Sequence, residues 1–223
     1  MIHVVTRIER PPKELIDQFG RIGTATVHEA SGRKGAVDSS IKPIARGVRI
    51  CGPAFTVQCH PLDNLMLHKA LEKAQPGDVL VATVGGHYEG GYFGGLMATS
   101  AVARSLGGLA IDGCVRDSQE IIRMGFPIFC RGFSIRGTTK QVLGSINHPT
   151  LFGGIQVGPG DLVIGDDDGM VVVSREECKD VLEKSIQRVE AEKKKSAELK
   201  AGASSVELNK LAKVFEWLGL TEE

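Results

Sequence analysis

The chain has 223 residues, with 27 basic and 27 acidic side chains and a formal net charge of zero. This balance argues against a nucleic-acid-binding surface, which needs a basic patch. No apolar run reaches the ~18 residues of a membrane span, and the N-terminal stretch lacks the apolar core of a signal peptide. The five cysteines form no CxxC pair and are expected to be reduced. We therefore expect a cytoplasmic protein that binds neither nucleic acid nor membrane.

The N-terminal quarter predicts two helices and a pair of strands. Two prolines begin a helix that extends to about Arg21, because proline fits the first helical turn. Thr26 and Glu29 have capping-box spacing, which predicts a second short helix ending near Gly32. Residues 47–60 alternate and are rich in β-branched side chains, so they predict a bent strand pair.

Strands and helices then alternate along the middle of the chain. Short apolar runs predict buried strands at 78–84, 108–115 and 127–134. Helical spacing or polar helix starts predict helices at 64–74, 96–107 and 116–125. This rhythm indicates an α/β fold with a parallel core.

The C-terminal third predicts strands joined by turns within residues 154–174, then two helices. The first of these helices, residues 175–202, has a strongly charged outer face, and the second, residues 205–220, has an apolar side. A thin helical tail with an apolar stripe has little of its own domain to pack against. We therefore predict one domain over residues 1–223, with the C-terminal helices within 173–223 forming an oligomer arm.

The stretch GHYEGGYFGGLM, residues 86–97, contains five glycines between a predicted strand and a predicted helix. Ligands of open α/β sheets bind at such strand ends, and glycine-rich backbone can close around an anion. The next predicted strand ends at Arg116 and Asp117. If the two strands are neighbours, an anion cradle, a guanidinium and a carboxylate share one crevice.

Each of these groups has a role in the chemistry of 2-oxo acids. The backbone amides of Gly94, Gly95, Leu96 and Met97 are predicted to hold a substrate carboxylate. Asp117 is the candidate ligand of Mg²⁺ or Mn²⁺, since hard cations prefer oxygen ligands. Arg116 is predicted to stabilise charge on the keto oxygen as an enolate forms. Glu120, one turn further on, is predicted to orient the arginine or a water on the metal.

Other interpretations of the same residues remain open. Glycine-rich loops are often only turns, and Arg116-Asp117 is also typical of a surface ion pair at a helix start. The loop matches neither a phosphate-binding GxxxxGK[ST] motif nor a GxGxxG fingerprint. The run DDDG predicts a hairpin turn on Asp168-Gly169 rather than a metal site. His68 is predicted to lie in the core; His28 and His87 are placed near the pocket without a role as base.

The spacing of the candidate residues resembles a known signature. Gly95 is followed after twenty residues by Arg116-Asp117 and after two more by Glu120. This resembles the G-x20-R-D-x2-E/D signature of the RraA-like family. That family includes the class II 4-hydroxy-4-methyl-2-oxoglutarate / 4-carboxy-4-hydroxy-2-oxoadipate aldolases and the regulator of ribonuclease E activity. The likeness covers most of residues 12–200 and is closer to the aldolases.

The resemblance implies an α/β/β sandwich that assembles as trimers or hexamers with the active site between subunits. It implies metal-dependent retro-aldol cleavage of a 4-hydroxy-2-oxo acid to pyruvate and a second oxo acid, with oxaloacetate decarboxylation as a side activity. Two alternatives stand beside it. One is a non-catalytic regulator that binds a protein such as ribonuclease E, and the other is a lyase of the same fold for a different 2-oxo acid.

Two positions depart from the aldolase pattern. The aldolases typically read GYFGDLLATSA, with aspartate where this chain has Gly95. They also tend to carry AAGELG near the C-terminus, whose glutamate reaches a neighbouring subunit's site and corresponds to about Ala203 here. Loss of two acidic groups near the metal is expected to weaken metal affinity, remove a proton relay or change which 4-substituent fits.

Overall fold

The computed structural model describes residues 3–223, so Met1 and Ile2 of the predicted domain lie outside the described part. Its helices are α1 (Lys13–Phe19), α2 (Thr24–Ala30), α3 (Leu65–Lys73), α4 (Gly95–Ala103), α5 (Ser118–Met124), α6 (Cys178–Lys200), α7 (Ser205–Leu208) and α8 (Ala212–Trp217). Its strands are β1 (Lys42–Pro43), β2 (Ile50–Gln58), β3 (Val79–Thr83), β4 (Gly108–Asp112), β5 (Cys114–Val115), β6 (Ile128–Cys130), β7 (Gly132–Phe133), β8 (Ser145–Ile146), β9 (Thr150–Phe152), β10 (Ile155–Val157), β11 (Leu162–Asp166) and β12 (Gly169–Val173).

The main sheet confirms the predicted α/β fold with a parallel core. Its strand order is β1-β6-β4-β3-β2-β11-β12, and the pairs β2–β3, β3–β4 and β4–β6 are parallel. The sheet curls until its edges nearly meet: Lys42 Nζ on β1 donates to the carbonyl oxygen of Asp168 beside β12 (2.6 Å). The carboxyl ends of β3 and β4 therefore lie side by side, as the candidate site requires.

The predicted bent strand pair at residues 47–60 is wrong, because β2 is one continuous strand. Its first half, Ile50–Pro53, pairs with β11, and its second half, Ala54–Gln58, pairs with β3. The strand changes partner after Pro53, which has no N–H to donate to a neighbouring strand. Pairing with two different strands therefore keeps β2 continuous through the proline.

Three apolar clusters fill the layers of the fold. One packs helices α3, α4 and α5 on the outer face of the parallel strands, and includes Leu67, Ala98 and Ile121. A second fills the inside of the curled sheet, where Phe129 lies so close to β11 that a Cβ on Gly165 would be 2.7 Å from the ring. The third packs α1, α2 and α6 on β11 and β12. The curled sheet thus packs its inner faces on each other and carries helices on its outer faces, which is the expected α/β/β arrangement.

Helix α2 begins two residues before the predicted cap, so the capping box of Thr26 and Glu29 is wrong. The carboxylate of Asp166, at the end of β11, accepts from the N–H of Thr24 (2.9 Å) and from its hydroxyl (2.6 Å). A carboxylate on the N-terminal amides of a helix replaces a local cap. That partner is 142 residues away in the chain, which explains why no local motif predicts it.

The C-terminal helices leave the sheet. The first two turns of α6 bury Val181 and Leu182 against the third cluster, but residues 190–200 are exposed on every side. The single helix predicted at 205–220 is wrong: Lys210 adopts a left-handed φ of 56° and separates α7 from α8. An oligomer arm in this region stays a prediction. Among residues 3–223, no helix combines the length and apolar character that crossing a membrane requires.

Candidate functional site

A cavity of about 330 Å³ lies beyond the carboxyl ends of β3 and β4. This is the lower end of the size range of small-molecule sites. It brings together the glycine loop after β3 and the Arg-Asp pair after β5. The side chains that face it with hydrogen-bonding or charged groups include Asn64, His68, Arg116, Asp117, Thr138 and Lys140.

Backbone hydrogen bonds fix the glycine loop beside the Arg-Asp pair. The N–H of Tyr92 donates to the carbonyl oxygen of Cys114 (3.0 Å), and the N–H of Arg116 donates to that of Phe93 (2.9 Å). The Tyr92 side chain is fully buried; its hydroxyl accepts from the N–H of Leu62 (2.8 Å) and donates to the carbonyl of His87 (2.9 Å). The loop therefore runs as an extra strand alongside β5 and delivers α4 to the cavity.

The last two glycines of the loop leave room for acidic side chains. A Cβ on Gly94 would lie 2.7 Å from Asp117 Oδ2, and a Cβ on Gly95 would lie close to the carboxylate of Glu120. Neither glycine is needed for a left-handed φ, since Gly94 is extended and Gly95 begins a helix. What the chain gains from them is close approach of backbone to carboxylate.

Asp117 is held in a sparsely populated backbone conformation. It precedes α5 with φ 57° and ψ 34°, in the left-handed region that aspartate tolerates better than most residues. Its Oδ2 accepts from the N–H of Gly95 (3.0 Å), and its side chain is 45% exposed toward the cavity region. Strain of this kind persists where the surrounding structure imposes it, and such residues cluster at functional sites.

Two of the four amides predicted to hold an anion already have acceptors. The N–H of Gly95 donates to Asp117, and that of Met97 donates to the carbonyl oxygen of Gly94 (3.0 Å). Within residues 3–223, the amides of Gly94 and Leu96 have no acceptor. Both lie at the N-terminus of α4, where free amides and the helix dipole favour an anion.

Arg116 reaches across the cavity wall. Its Nε lies 3.7 Å from Asp117 Oδ2, and its Nη1 would be 3.6 Å from a Cβ on Gly137. The side chain is 47% exposed, so this is a long, solvated ion pair that contributes little to stability. The guanidinium keeps donors available for a bound anion or oxyanion.

The predicted set is thus collected in one place. Arg116, Asp117, Gly94, Leu96 and Met97 line the cavity, whereas Gly95 and Glu120 do not; the carboxylate of Glu120 lies over Gly95. Their roles as catalytic, substrate-binding, metal-binding and supporting residues stay predictions. Neither His28 nor His87 lines this cavity.

His68 is not a core residue, and that prediction is wrong. It is exposed on α3 and lines the cavity. Partial burial, with the positive charge of Lys140 as a second cause, lowers the pKa of His68 below its usual value. Asn64, the residue directly before α3, lines the same cavity, and no motif of the sequence indicated it.

Lys140 was also missed in the sequence analysis, because its position depends on hydrogen bonds to a residue that is distant in the chain. The buried carboxylate of Asp63 accepts from the N–H of Gln141 (2.6 Å) and the hydroxyl of Thr139 (2.8 Å), the two neighbours of Lys140. Burial would raise the pKa of Asp63, but these bonds and those from Leu65 and Val142 hold that pKa below its usual value. Asp63 therefore stays ionised and holds the Lys140 segment against the cavity.

Two other features of the sequence are the DDDG run and the cysteines. The β11–β12 hairpin turns on Asp167 and Asp168, with Asp166 paired to Gly169, so the turn predicted on Asp168-Gly169 is shifted by one residue. All five cysteines are free, and burial is the main cause that raises the pKa of Cys51, Cys59 and Cys178 to about 12. Such thiols are poor nucleophiles and metal ligands.

Comparison with known proteins agrees with this geometry. The family model RraA-like (Aldolase/RraA) matches residues 15–172. A protein of Halalkalibacterium halodurans, provisionally named a 4-hydroxy-4-methyl-2-oxoglutarate aldolase, is 35% identical over 89% of this chain and 91% of its own length.

Two solved structures have the same fold. RraAS2 of Streptomyces coelicolor, described as an unusual member of the RNase ES inhibitor RraA protein family, superposes with a TM-score of 0.77 at 29% identity, covering 85% of this chain and 99% of its own. An uncharacterised protein of Pseudomonas syringae superposes with a TM-score of 0.79 at 25% identity, covering 88% and 97%. The fold, the matched residues and the relatives agree: this chain belongs to the RraA-like (Aldolase/RraA) family.

Proposed function

We propose that the cavity cleaves a 4-hydroxy-2-oxo dicarboxylic acid of the 4-hydroxy-4-methyl-2-oxoglutarate type to pyruvate and a second oxo acid. The same site would decarboxylate oxaloacetate. The observation that carries the proposal is the meeting of Arg116, Asp117 and the free N-terminal amides of α4 in one cavity. The relative named as an aldolase, at 35% identity, supports the same reaction class.

The donor atoms suit a hard divalent cation. Among residues 3–223, no group of three or more His, Cys, Asp or Glu side chains could enclose a metal. Asp117 offers a half-exposed carboxylate beside the cradle left open by Gly94. Mg²⁺ is commonly held by one or two carboxylates with water and substrate completing its shell, so Asp117 would hold it. The cation, when bound, supplies Lewis-acid polarisation of the 2-oxo group.

The chain's own groups account for binding and charge stabilisation. The amides of Gly94 and Leu96 would hold the carboxylate next to the keto group. Arg116 would donate to the keto oxygen as it becomes the oxyanion of an enolate, where a preorganised donor lowers the barrier most. The positive charge of Lys140, with His68 beside it, would bind the second carboxylate.

We propose that the carboxylate of Glu120 exchanges protons with a water bound at this site. Its carboxylate occupies the space over Gly95, where the aldolases carry an aspartate side chain. We propose that it takes over that residue's part. Retro-aldol cleavage removes a proton from the 4-hydroxyl and returns one to carbon 3, whereas decarboxylation needs only the second transfer. Both reactions leave the enolate of pyruvate, so both depend on Arg116.

A pyruvate-release assay tests this function. The protein is incubated with oxaloacetate or 4-hydroxy-4-methyl-2-oxoglutarate, and pyruvate is followed by coupling to lactate dehydrogenase. We expect pyruvate from both substrates with Mg²⁺ or Mn²⁺, loss of turnover in EDTA, and recovery when the metal is restored. Because metal ions alone decarboxylate oxaloacetate, heat-inactivated protein gives the background. Turnover of neither substrate with either metal would overturn the proposed function.

We extend the proposal to assembly as a homotrimer or hexamer with the site between subunits. A second hollow of about 260 Å³ borders Arg116 and Asp117 and is lined by Phe133 and Ile135, which are 59% and 97% exposed. Leu96, at the cavity mouth, is 87% exposed. Large apolar side chains exposed together around a site favour a protein interface.

Two alternatives have their own supporting observations. The likeness to RraAS2 favours a regulator that binds a protein partner such as ribonuclease E. Gly95 and Ala203, where the aldolases carry acids, favour a lyase of the same fold for a different 2-oxo acid. Pyruvate release from other 2-oxo acids, but not from 4-hydroxy-4-methyl-2-oxoglutarate, would support this lyase.

A further inference from the structure

The wall of the cavity that carries Lys140 has little apolar packing to hold it in place. Within the described chain, residues 134–144 contain neither helix nor strand, and all of residues 135–143 except Thr138 are exposed. The apolar side chains of this wall are exposed as well: Ile135 by 97%, Val142 by 38% and Leu143 by 61%. Segments with few buried apolar contacts are the least stable parts of a fold. This wall therefore depends on its hydrogen bonds.

The two ends of the wall are fixed to the body of the protein. Before it, the carbonyl oxygen of Arg136 accepts from the N–H of Gly91 on the glycine loop (2.8 Å). After it, Gly144 leaves no room for a side chain beside the carbonyl oxygen of Gln58 and leads into β8. Movement is therefore confined to residues 137–143, which we call the gate and of which three residues line the cavity.

Among the described residues, the hydrogen bonds that join the gate to the rest of the protein go to the turn before α3. The carbonyl oxygen of Leu62 accepts from the N–H (2.7 Å) and the hydroxyl (3.1 Å) of Thr139. The Oδ2 atom of Asp63 accepts from the same hydroxyl (2.8 Å). It also accepts from two amides of the gate, those of Gln141 (2.6 Å) and Val142 (3.2 Å). One carboxylate thus holds three donors of the gate.

The turn that holds the gate is itself strained. Leu62 has a φ of 57°, a left-handed conformation that is uncommon for a large side chain. Its N–H donates to the hydroxyl of the buried Tyr92 (2.8 Å), and its carbonyl oxygen accepts from the gate. Strain of this kind persists only where the surrounding structure imposes it. Release of the gate removes part of that constraint, so relaxation of the turn favours opening.

We propose that the gate opens and closes over the cavity, with Leu62 and Asp63 as its latch. When the latch breaks, Thr138 and Lys140 leave the cavity wall, and a ligand can enter or leave. When the latch forms again, the wall is complete. Loops that cover binding sites move in this way within microseconds to milliseconds. The movement itself is independent of the ligand; only the gate's role as the ligand's entrance rests on the proposed function.

Hydrogen exchange of the protein without ligand, followed by NMR, tests the movement. The amides of Thr139, Gln141 and Val142 are hydrogen-bonded to the latch. We expect them to exchange together and much faster than the amides of β3, which open only when the whole domain unfolds. Low urea should accelerate exchange in β3 and leave the gate amides nearly unchanged, since local opening exposes little surface. Exchange of the gate amides at the rate of β3 would overturn the proposal.

Thr139→Val tests the latch. Valine has the shape of threonine but cannot donate to Asp63, and position 139 is exposed, so the fold should be kept. Loss of one hydrogen bond to a carboxylate should accelerate exchange of the other gate amides about 10-fold. Thr24→Val is the matched control, because it removes a hydroxyl bond to the carboxylate of Asp166 (2.6 Å) outside the gate. Equal exchange of the gate amides in the two variants would exclude the latch.

2-Oxoglutarate with Mg²⁺ tests whether a ligand passes the gate. This dianion has the 2-oxo acid group and the second carboxylate of the proposed substrate, but no 4-hydroxyl, so it is not cleaved. Its Kd is first measured by calorimetry. At about ten times that Kd, the gate amides should exchange about 10-fold more slowly, because the ligand binds only the closed gate.

The amides of α8, far along the chain from the gate, are the control and should exchange as they do without ligand. Binding of 2-oxoglutarate without slower exchange in the gate would overturn the gate's role as the entrance. Absence of binding would contradict the proposed function, while exchange in the unliganded protein would still decide whether the gate opens.

Discussion

Replacing Asp117 with asparagine will lower metal-dependent pyruvate release about 10³-fold, because a Lewis acid of the kind that Asp117 would hold is worth several kcal/mol of transition-state stabilisation. Asparagine has nearly the same shape and tolerates the left-handed backbone at this position, and its side-chain oxygen can still accept from the amide of Gly95. The variant therefore removes the negative charge with little effect on the fold. Mn²⁺ affinity, measured by titration calorimetry, should fall at least ~100-fold. Mutating a residue that only supports a metal's ligands already lowers metal affinity about 10–100-fold, and Asp117 is the proposed ligand itself.

Asp167→Asn is the control for Asp117. Asp167 is exposed at the tip of the β11–β12 hairpin and accepts from the N–H of Gly47 (2.8 Å). It should bind Mn²⁺ and release pyruvate as the unchanged protein does. Full Mn²⁺ affinity in Asp117→Asn would exclude Asp117 as the ligand.

The second large effect is expected at Arg116. Arg116→Ala should lower kcat for both substrates about 10²–10³-fold, the usual cost of losing one donor to a developing oxyanion. The loss should appear mainly in kcat, because the donor acts more strongly on the enolate than on the ground state. Arg116→Lys keeps the charge but not the planar pair of donors and should recover only part of the rate.

Arg123→Ala separates this effect from a general loss of positive charge. Arg123 is exposed on α5, the helix that follows Asp117, and does not line the cavity. Its removal should leave kcat unchanged. Equal losses in Arg116→Ala and Arg123→Ala would show that bulk electrostatics, and not a directed hydrogen bond, governs the rate.

Most of the parallel core could be predicted because β3, β4 and β6 are short continuous apolar runs. β3 and β4 are buried on both faces, and helices between such strands leave few ways to connect them. The cap on α2 could not be predicted, since Asp166 comes from a distant strand. The break at Lys210 was also missed, because one residue in a left-handed conformation leaves no apolar signature.

The site was predictable where adjacent strands end and unpredictable where a distant loop contributes. Arg116, Asp117 and the glycine loop meet because parallel neighbours end at the same edge of the sheet. Lys140 comes from a segment without regular structure, fixed by the buried Asp63. His68 was misassigned because helical spacing near buried neighbours does not reveal which side of the helix borders a cavity.

The position of Glu120 changes the meaning of Gly95. The sequence suggested a lost acid; in the structure a carboxylate from α5 fills the space that a side chain at position 95 would need. The sequence alone could not show that Glu120 fills the space beside Gly95, because the contact forms only when the start of α4 packs against α5. Among the described contacts, none supplies an acidic counterpart for the position of Ala203.

Hydrogen exchange at the methyl group of pyruvate tests enolate stabilisation most directly, since it needs neither cleavage nor a chosen aldol substrate. Purified protein is incubated with pyruvate in heavy water containing Mg²⁺ or Mn²⁺, and the methyl signal is followed by proton NMR. We predict loss of that signal with the unchanged protein, and retention of the signal in EDTA and in Arg116→Ala. Retention of the methyl hydrogens by the unchanged protein with either metal would contradict the proposed chemistry.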